Sequence, residues 1–431
     1  MSWGLELGLF LLLLLGLLIS GMWVPFAIAT AGLFSLYTNF GSSAFGALGL
    51  VTWGTLNSFT LSAIPMFVLM AVLLSRSGIS DITYRGLTVL VRRLPGGLLL
   101  TNIVGCALFA AISGSSVATA ASIGSVALPQ LKERNYDARM SCGSLAGGGA
   151  LGILIPPSIT MIIYGSITET SISKLFMAGL LPGIGLAVLF FIYVAVRCMI
   201  SPELAPRGAA EEEHSSPLLA LLQLLPFVGL ILVVLGGIYS GFATPTEAAG
   251  LGCALAVLLL IGFRRFSLTL LRDALIDTVR TSATLLFIIL AAFIFSYSVE
   301  ISGVGEALKT FVTSLNLGQL GFLLLILVLF AVLGCILDGA GMVVLAVPLF
   351  FPLLASYHID PIWFGVLVVM LVEFGMLTPP FGINIFVVRS IANVPLGTVV
   401  AGCVPYYFII LFAVGILIAF PGVATFLPGR M

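Results

Sequence analysis

The sequence predicts an all-α polytopic membrane protein made of inverted repeats, with two re-entrant hairpins and two broken helices. The first observation behind this prediction is composition: the 431 residues are 60% hydrophobic and 8% charged, whereas soluble proteins carry about 25% charged residues. The second is a series of long apolar runs, such as residues 180–196 and 218–235, which suit helices that cross a bilayer. A β-barrel would instead show short segments of alternating hydrophobicity.

The third observation is a duplication of the features that interrupt the apolar runs. A single shift of 223 residues (338 − 115 = 223) aligns six features without a gap: Ser115 with Asp338, Pro129 with Pro352, Asp137 with Asp360, Gly152 with Gly375, Leu154 with Leu377, and Pro156-Pro157 with Pro379-Pro380. Breaks at corresponding places in two halves are typical of duplicated membrane proteins with discontinuous helices.

The N-terminal part, residues 1–95, is expected to form scaffold spans. Apolar segments at 5–20 and 22–38 predict either two spans or one long broken helix, and a further span is predicted at 60–75. Residues 41–59 allow no assignment. Residues 81–94 are amphipathic and basic, as in helices that lie in the membrane interface.

Residues 96–168 are expected to form the first half of a transport domain. A hairpin runs from 96 to 131 and turns at Ser113–Ser116. Each limb has about 15 residues and so spans about 22 Å, which is short for a bilayer core of about 30 Å, so the hairpin should enter and leave on one side. A broken helix follows at 138–168, with its break at 155–158.

The second half is expected to repeat this pattern. Residues 169–318 contain predicted scaffold spans at 175–197, 217–238, 243–263 and 281–300, a cytoplasmic linker at about 198–217 and a second interfacial helix at about 264–280. Residues 319–392 contain the second hairpin, 319–356 with its tip at 338–341, and the second broken helix, 361–390. Residues 393–431 contain a last span at 396–420.

Basic residues predict the orientation of the two halves, because Lys and Arg concentrate on the cytoplasmic side. The base of the first hairpin is basic, through Arg92, Arg93, Lys132, Arg134 and Arg139, whereas no Lys or Arg occurs between Thr310 and Val388. Five predicted crossings separate the two hairpin bases, and an odd number puts them on opposite sides. Inverted repeats with broken helices are typical of secondary transporters, whose sites lie near the middle of the membrane.

The broken helices predict a binding site for small charged species. Each break leaves carbonyl and N–H groups without helical partners. Carbonyls and hydroxyls suit a hard cation such as Na⁺, and positive helix ends suit a carboxylate. The alternative is that the Gly, Ala and Ser residues serve close helix packing. Buried carboxylates are costly and usually functional, which favours an ion or gating role for Asp338. Glu373 and Glu247 could be functional, or lie near an interface or pair with a neighbour.

The sequence gives little indication of ATP hydrolysis, enzyme catalysis or cysteine chemistry. A phosphate-binding loop of the form GxxxxGK[ST] is absent, as is a clear nucleophile–base constellation, so we expect neither ATP hydrolysis nor other enzyme activity. The six cysteines are scattered without CxxC spacing, which favours packing roles.

Four segments resemble the large membrane subunit of tripartite ATP-independent periplasmic (TRAP) transporters: SGSSVATAASIGSVALPQLKERNYD, GGGALGILIPPSITMIIYGSITETSISKLFMAGLLPG, GGIYSGFATPTEAAG and FGMLTPPFGINIFVV. The resemblance covers nearly the whole chain. It implies Na⁺-coupled uptake of a carboxylate-bearing solute across the bacterial inner membrane by an elevator mechanism. It also implies two partners, a small four-helix membrane subunit and a periplasmic solute-binding protein. No organic cofactor and no nucleic acid are expected.

The resemblance also implies two Na⁺ sites by motif. One would be formed by Ser113, Ser115, Ser116, Gly152, Ile155 and Pro157. The other would be formed by Asp338, Gly341, Gly375, Thr378 and Pro380. The solute should lie between the hairpin tips, near Ser115 and Asp338, with its contacts unassigned.

Three other interpretations stay open at this point. A stand-alone carboxylate symporter with similar hairpins would need no binding protein. A channel would not concentrate its solute. An intramembrane enzyme would have to show turnover chemistry on a bound solute.

Overall fold

The computed structural model describes residues 3–206, 216–315, 317–379 and 382–430, and every regular element within them is helical. The first half contains ten α-helices: α1 Trp3–Ile19, α2 Val24–Phe40, α3 Ala44–Leu56, α4 Ala63–Arg76, α5 Ile79–Val91, α6 Leu98–Ser113, α7 Ser116–Glu133, α8 Ala138–Ala150, α9 Ile159–Thr168 and α10 Ile172–Ile200. The second half contains another ten: α11 Pro217–Tyr239, α12 Pro245–Gly262, α13 Leu268–Ile301, α14 Val304–Ser314, α15 Gln319–Gly334, α16 Gly339–Phe350, α17 Pro361–Met376, α18 Ile383–Ala392, α19 Leu396–Ala419 and α20 Gly422–Thr425.

The lengths and compositions of these helices confirm a polytopic membrane protein. Seven helical segments in the described part of the chain are long and apolar enough to cross a membrane: 59–76, 172–200, 217–239, 245–262, 268–301, 339–357 and 396–419. The helices around the predicted breaks, α9 and α18, are apolar but only 10 residues long. Such short helices suit interrupted spans rather than complete crossings.

The 223-residue shift relates the helices as well as the sequence. It carries α7 onto a segment that begins at residue 339, where α16 begins, and α8 onto one that begins at 361, where α17 begins. Backbone details follow the same shift: Asn135 and His358 both have left-handed φ values, of 56° and 53°. The duplication extends beyond the hairpins, because the same shift also aligns α2 with α12, α5 with α14 and α10 with α19 to within a few residues, and places α1 over the C-terminal part of α11.

The predicted interfacial helix at 264–280 is not a separate element in the structure. It continues into the predicted span at 281–300 as one helix, α13, of 34 residues. The physical reason is that Gly and Pro, the strongest helix breakers, are both missing between Leu268 and Ile301. In the first half the corresponding segments, α3 and α4, are separated by a short 3₁₀ turn at Phe59–Ser62. The structure also shows α14, which no sequence pattern had indicated.

Contacts between the halves occur in exchanged pairs. Helix α8 packs against α19, and its repeat mate α17 packs against α10; α7 packs against α18, and α16 against α9. A helix of one half contacts a helix of the other half, and the two helices at the repeat-related positions contact each other as well. Such exchanged contacts indicate that an approximate two-fold axis relates the two halves. This arrangement brings the two hairpin tips to the same region of the molecule. Gly143 and Gly402 allow the closest of these approaches, because a side chain on either would overlap the backbone of the other helix.

Candidate functional site

The first hairpin tip is a tight turn stabilised by hydroxyl groups. Helix α6 ends at Ser113, Gly114 follows with a left-handed φ of 59°, and Ser115 accepts a hydrogen bond from the N–H of Ala118, 3.4 Å away, as the N-cap of α7. Glycine suits this turn because it adopts a positive φ without steric cost. The Thr119 hydroxyl donates to the Ser115 carbonyl at 2.8 Å and lies 2.7 Å from the Ser113 hydroxyl. The tip is thus held by its own polar side chains.

The first tip lies directly against the first break. The N–H of Ile159 donates to the Gly114 carbonyl at 3.2 Å. Gly152 faces the tip so closely that a Cβ atom there would lie 2.5 Å from the Ser115 carbonyl oxygen. A Cβ atom on Gly114 would lie 2.6 Å from the Pro157 carbonyl oxygen. The structure therefore brings together tip and break residues that lie about forty positions apart in the sequence.

Five carbonyl groups at this break accept no hydrogen bond from any described residue. They belong to buried residues, namely Gly152, Leu154, Ile155, Pro156 and Pro157. Buried carbonyls without a partner are uncommon, because each costs the free energy of a lost hydrogen bond with water. Backbone carbonyl oxygens are a type of ligand that coordinates hard cations. The side chain of Ile155 packs towards Gly183 of α10, so only its backbone is available to a ligand.

The second tip has the same capping geometry with a different side chain. Asp338 is the N-cap of α16, and its carboxylate accepts a hydrogen bond from the N–H of Gly341 at 3.0 Å. Asp338 and Gly341 are the repeat mates of Ser115 and Ala118. The second tip also contacts its own break, because the Cys335 thiol donates to the Pro379 carbonyl at 3.6 Å. A cap position that holds a hydroxyl in one half holds an acidic group in the other.

The second break differs from the first. Gly375 packs against α15, where an added Cβ atom would lie 2.9 Å from the Phe330 carbonyl oxygen, whereas its mate Gly152 packs against the tip. The Gly375 carbonyl accepts a hydrogen bond from the N–H of Thr378 at 3.0 Å. The Thr378 hydroxyl donates to the Phe374 carbonyl at 2.7 Å. Pro380, the last member of the predicted second set, lies outside the described residues.

Both tips line a single cavity of about 210 Å³. Ser115 and Asp338 both contribute to its wall, together with Ser113 and Ser116. The rest of the wall comes from α4, α9 and α13 and from residues near the breaks: Val68, Ala71, Val72, Gly114, Val117, Ala118, Ile153, Ile159, Thr160, Ile163, Thr281, Leu285, Gly339, Ala340 and Met376. The unpaired carbonyls of the first break belong to residues that do not line this cavity.

Sequence reasoning missed three polar residues of this region. Thr119 bridges Ser113 and Ser115, and its position one helical turn after Ser115 was the available signal. Ser158 caps α9, and its hydroxyl donates to the Ile153 carbonyl at 2.5 Å. Asn384 of α18 donates from Nδ2 to the Ser116 hydroxyl oxygen. The last contact joins residues 268 positions apart, and no local pattern indicates it.

The two other carboxylates of interest have different surroundings. Glu247 forms a capping box with Thr244 at the start of α12, where its Oε2 accepts from the Thr244 N–H at 2.8 Å. The capping box explains why a glutamate occurs at this position. Glu373 is fully buried in α17, and neither of its carboxylate oxygens has a hydrogen-bond partner among the described residues. Glu373 does not line the cavity between the tips.

The family to which the chain belongs follows from comparison with known proteins. The profile described as tripartite ATP-independent periplasmic transporter, DctM component, matches residues 11–423. The chain is a member of this family of TRAP transporter large subunits. It is therefore a multi-pass membrane subunit for TRAP-type secondary solute uptake rather than an enzyme. Membership also implies a small membrane subunit and a periplasmic binding protein as partners.

Relatives in this family differ in solute. The chain is 34% identical over 385 residues to the C4-dicarboxylate TRAP transporter large permease protein DctM of Pseudomonas aeruginosa, covering 89% of each chain. It is 31% identical to the ectoine TRAP transporter large permease protein TeaC of Halomonas elongata, covering 96% of this chain and 97% of the relative. It is 30% identical to the sialic acid TRAP transporter large permease protein SiaM of Vibrio cholerae, covering 96% of each.

A solved structure supports the fold. The YdaH transporter of Alcanivorax borkumensis superimposes with a TM-score of 0.59 at 18% sequence identity, and the match covers 89% of this chain and 91% of that one.

Proposed function

We propose that this TRAP large subunit takes up a carboxylate-bearing solute, driven by a Na⁺ gradient and supplied by a periplasmic binding protein. The observation that carries the proposal is the group of buried, unpaired carbonyls of Gly152, Ile155 and Pro157 behind a hairpin tip that also lines a cavity. In secondary transporters with broken helices, unwound backbone carbonyls of this kind coordinate the coupling ion near the solute site.

The first cation site would combine these carbonyls with the polar groups of the tip. Ser115 offers its carbonyl oxygen next to Gly152, the Ser113 hydroxyl is bonded to that carbonyl, and Ser116 would add the hydroxyl of the following residue. The described residues contain no group of three or more His, Cys, Asp or Glu side chains that could hold a metal ion. Neutral oxygen ligands suit a hard monovalent cation better than a transition metal.

The second cation site would have a different character. It would use the Asp338 carboxylate with the backbone near Gly341, Gly375 and Thr378. Since the carbonyls of Gly375 and Thr378 already accept backbone hydrogen bonds, this site depends more on the charge of Asp338. We therefore infer that the two sites have unequal affinity for the cation.

The cavity between the tips suits an anionic group. Helices α7 and α16 both begin at the cavity, at Ser116 and Gly339, and helix N-termini favour negative charge through their free N–H groups. Hydroxyls of Ser115 and Thr160 offer further hydrogen bonds. The relatives named for C4-dicarboxylates and sialic acid make a carboxylate-bearing solute the simplest class for this chain.

The movement would follow an elevator mechanism. The units 96–168 and 319–392 would carry the solute between the two sides of the bacterial inner membrane, past a scaffold braced by the small four-helix subunit. The one-sided distribution of Lys and Arg between the two hairpin bases supports opposite orientation of the two halves. A two-fold axis in the membrane plane would then relate an outward-facing state to an inward-facing one.

The test is uptake into proteoliposomes that contain this chain and its small partner, with candidate carboxylates such as C4-dicarboxylates and sialic acid. The cognate binding protein is supplied on the outside. We expect solute to accumulate above its external concentration when Na⁺ is imposed as a gradient, and not when K⁺ replaces it. Equilibration without accumulation would indicate a channel and would contradict the proposal.

A further inference from the structure

Asn384 connects the second broken helix to the first hairpin tip. It is the second residue of α18 and is fully buried. Its Nδ2 donates to the hydroxyl oxygen of Ser116, the first residue of α7, which lines the cavity. Its Oδ1 atom has no hydrogen-bond partner in the described parts of the chain. The residue thus offers one bonded and one free polar atom at the edge of the first tip.

The other repeat forms the related helix contact without a polar bridge. The 223-residue shift relates Asn384 to Met161 and Ser116 to Gly339. Helices α9 and α16 pack together just as α18 and α7 do, but the mates Met161 and Gly339 have no side-chain hydrogen bond to make. The same helix contact therefore forms with and without a polar bridge. Among the described residues, this polar bridge is present at the first tip alone.

Burial of the free amide oxygen is unfavourable. An unsatisfied polar atom in an apolar interior destabilises the folded state, because it has lost its hydrogen bond with water. Methionine at the mate position shows that an apolar side chain suits this location in the fold. A hydrogen bond to this oxygen in another state of the transport cycle would offset that cost.

We propose that Asn384 positions the Ser116 hydroxyl for a cation behind the first tip and so couples the second half of the molecule to the first cation site. This inference rests on the proposed cation coupling. Rotation of the amide by about 180° exchanges Oδ1 and Nδ2 at little steric cost, because the terminal torsion of Asn is broad. Oδ1 then accepts the Ser116 hydroxyl hydrogen, and both lone pairs of Ser116 Oγ become available to the cation. Cation binding would in this way set the position of α18 and of the second break before it.

The first variant to test is Asn384→Met, because methionine is the residue at the repeat-related position, Met161. We expect the Na⁺ concentration for half-maximal uptake to rise about tenfold, as loss of one polar interaction with a cation ligand predicts. The solute KM at saturating Na⁺ should stay unchanged. In a double variant with Ser116→Ala, the two effects should not add, because both changes remove one interaction. If Asn384→Met is poorly produced, Asn384→Ser replaces it in the same assays, because a serine side chain is too short to reach the Ser116 hydroxyl.

The matched control is Asn102→Met. Asn102 is also a fully buried asparagine, but its amide is fully engaged: its Oδ1 accepts from the Tyr84 hydroxyl at 2.7 Å and its Nδ2 donates to the Ser144 hydroxyl at 2.9 Å. This change should lower the melting temperature and leave the Na⁺ dependence of uptake unaltered. A merely structural role for Asn384 would give the same result as this control.

A second measurement separates failure of this inference from failure of the proposed function. Na⁺ should raise the melting temperature of the purified wild-type complex without solute, because a ligand that binds the folded state stabilises it. The Asn384→Met complex should show this shift only at higher Na⁺. If wild type responds to Na⁺ and the variant responds identically, the inference is wrong and the proposed function stands. If wild type responds to Na⁺ in neither assay, both are wrong.

Discussion

Ser115 and Asp338 cap two helices in the same manner, 223 residues apart, and line one cavity. The capping bond reaches the third following residue in both cases, Ala118 and Gly341. One cap is neutral and the other acidic, so the duplicated unit has kept its geometry while its chemistry has diverged. This divergence underlies the proposal that the two cation sites are unequal.

Asp338→Asn tests the charge at the second tip. Asparagine is an equally good N-cap, so the bond from the Gly341 N–H should remain and the protein should fold. Loss of the carboxylate should raise the Na⁺ concentration for half-maximal uptake by about tenfold, equivalent to about 1.4 kcal/mol of cation binding. Asp360→Asn is the control, since Asp360 also caps a helix, through the N–H groups of Ile362 and Trp363, and does not line the cavity. Equal Na⁺ activation in both variants would remove Asp338 from the site.

Gly152→Ala tests the contact between the first break and the first tip. The added methyl group would lie 2.5 Å from the Ser115 carbonyl oxygen, so tip and break must move apart and uptake should fall to near background. Gly185→Ala in α10 is the control, because a Cβ atom added there would have no heavy atom within 4 Å; alanine at this position should raise stability by about 0.5–1 kcal/mol. Uptake and melting temperature would be measured for both. Normal uptake by Gly152→Ala would contradict the close contact.

Thr119→Val tests the hydroxyl that bridges Ser113 and Ser115. Valine has nearly the same shape, so the change removes two hydrogen bonds from the tip with little change in packing. We expect a loss of about 1–2 kcal/mol in unfolding free energy and weaker Na⁺ activation, because the Ser113 and Ser115 oxygens lose their fixed positions. The control Thr88→Val removes a buried hydroxyl that bonds only to the Tyr84 carbonyl in α5. It should affect stability alone; if both variants keep wild-type Na⁺ activation, the bridge has no part in cation binding.

Glu373→Gln tests the buried carboxyl group in α17. An ionised carboxylate without a partner costs several kcal/mol, so the neutral amide should leave the melting temperature equal or higher. Uptake should decrease, since intramembrane carboxylates that cost stability usually serve function. Uptake at the wild-type rate together with higher stability would show that Glu373 has no role in transport.

The tips and breaks could be predicted from sequence because their causes are local. Gly114 adopts a left-handed φ and two consecutive prolines at 156–157 remove two backbone donors, so both interrupt the helix from within their own segment. The duplication was visible for the same reason, since Asp137 and Asp360 are both capping residues with fixed positions relative to their helices. The prediction of a separate helix at 264–280 was wrong, because the amphipathic pattern changes along α13 without ending the helix.

The details of the site depend on packing and could not be predicted in the same way. Gly375 shares the repeat position of Gly152, yet it packs against α15 instead of the tip. Asn384 reaches Ser116 only because α18 lies against α7. In an apolar segment a single asparagine or threonine looks the same whether it serves a site or a helix contact.

The most direct test of Na⁺-coupled, binding-protein-dependent transport is uptake of a candidate carboxylate into proteoliposomes that contain this chain and its small partner. Four conditions combine the presence or absence of a Na⁺ gradient with the presence or absence of the cognate binding protein. We expect concentrative uptake only when both are present. Concentrative uptake with a Na⁺ gradient but no binding protein would show a stand-alone symporter. Uptake that does not depend on the Na⁺ gradient would contradict the role proposed for the carbonyls of the first break.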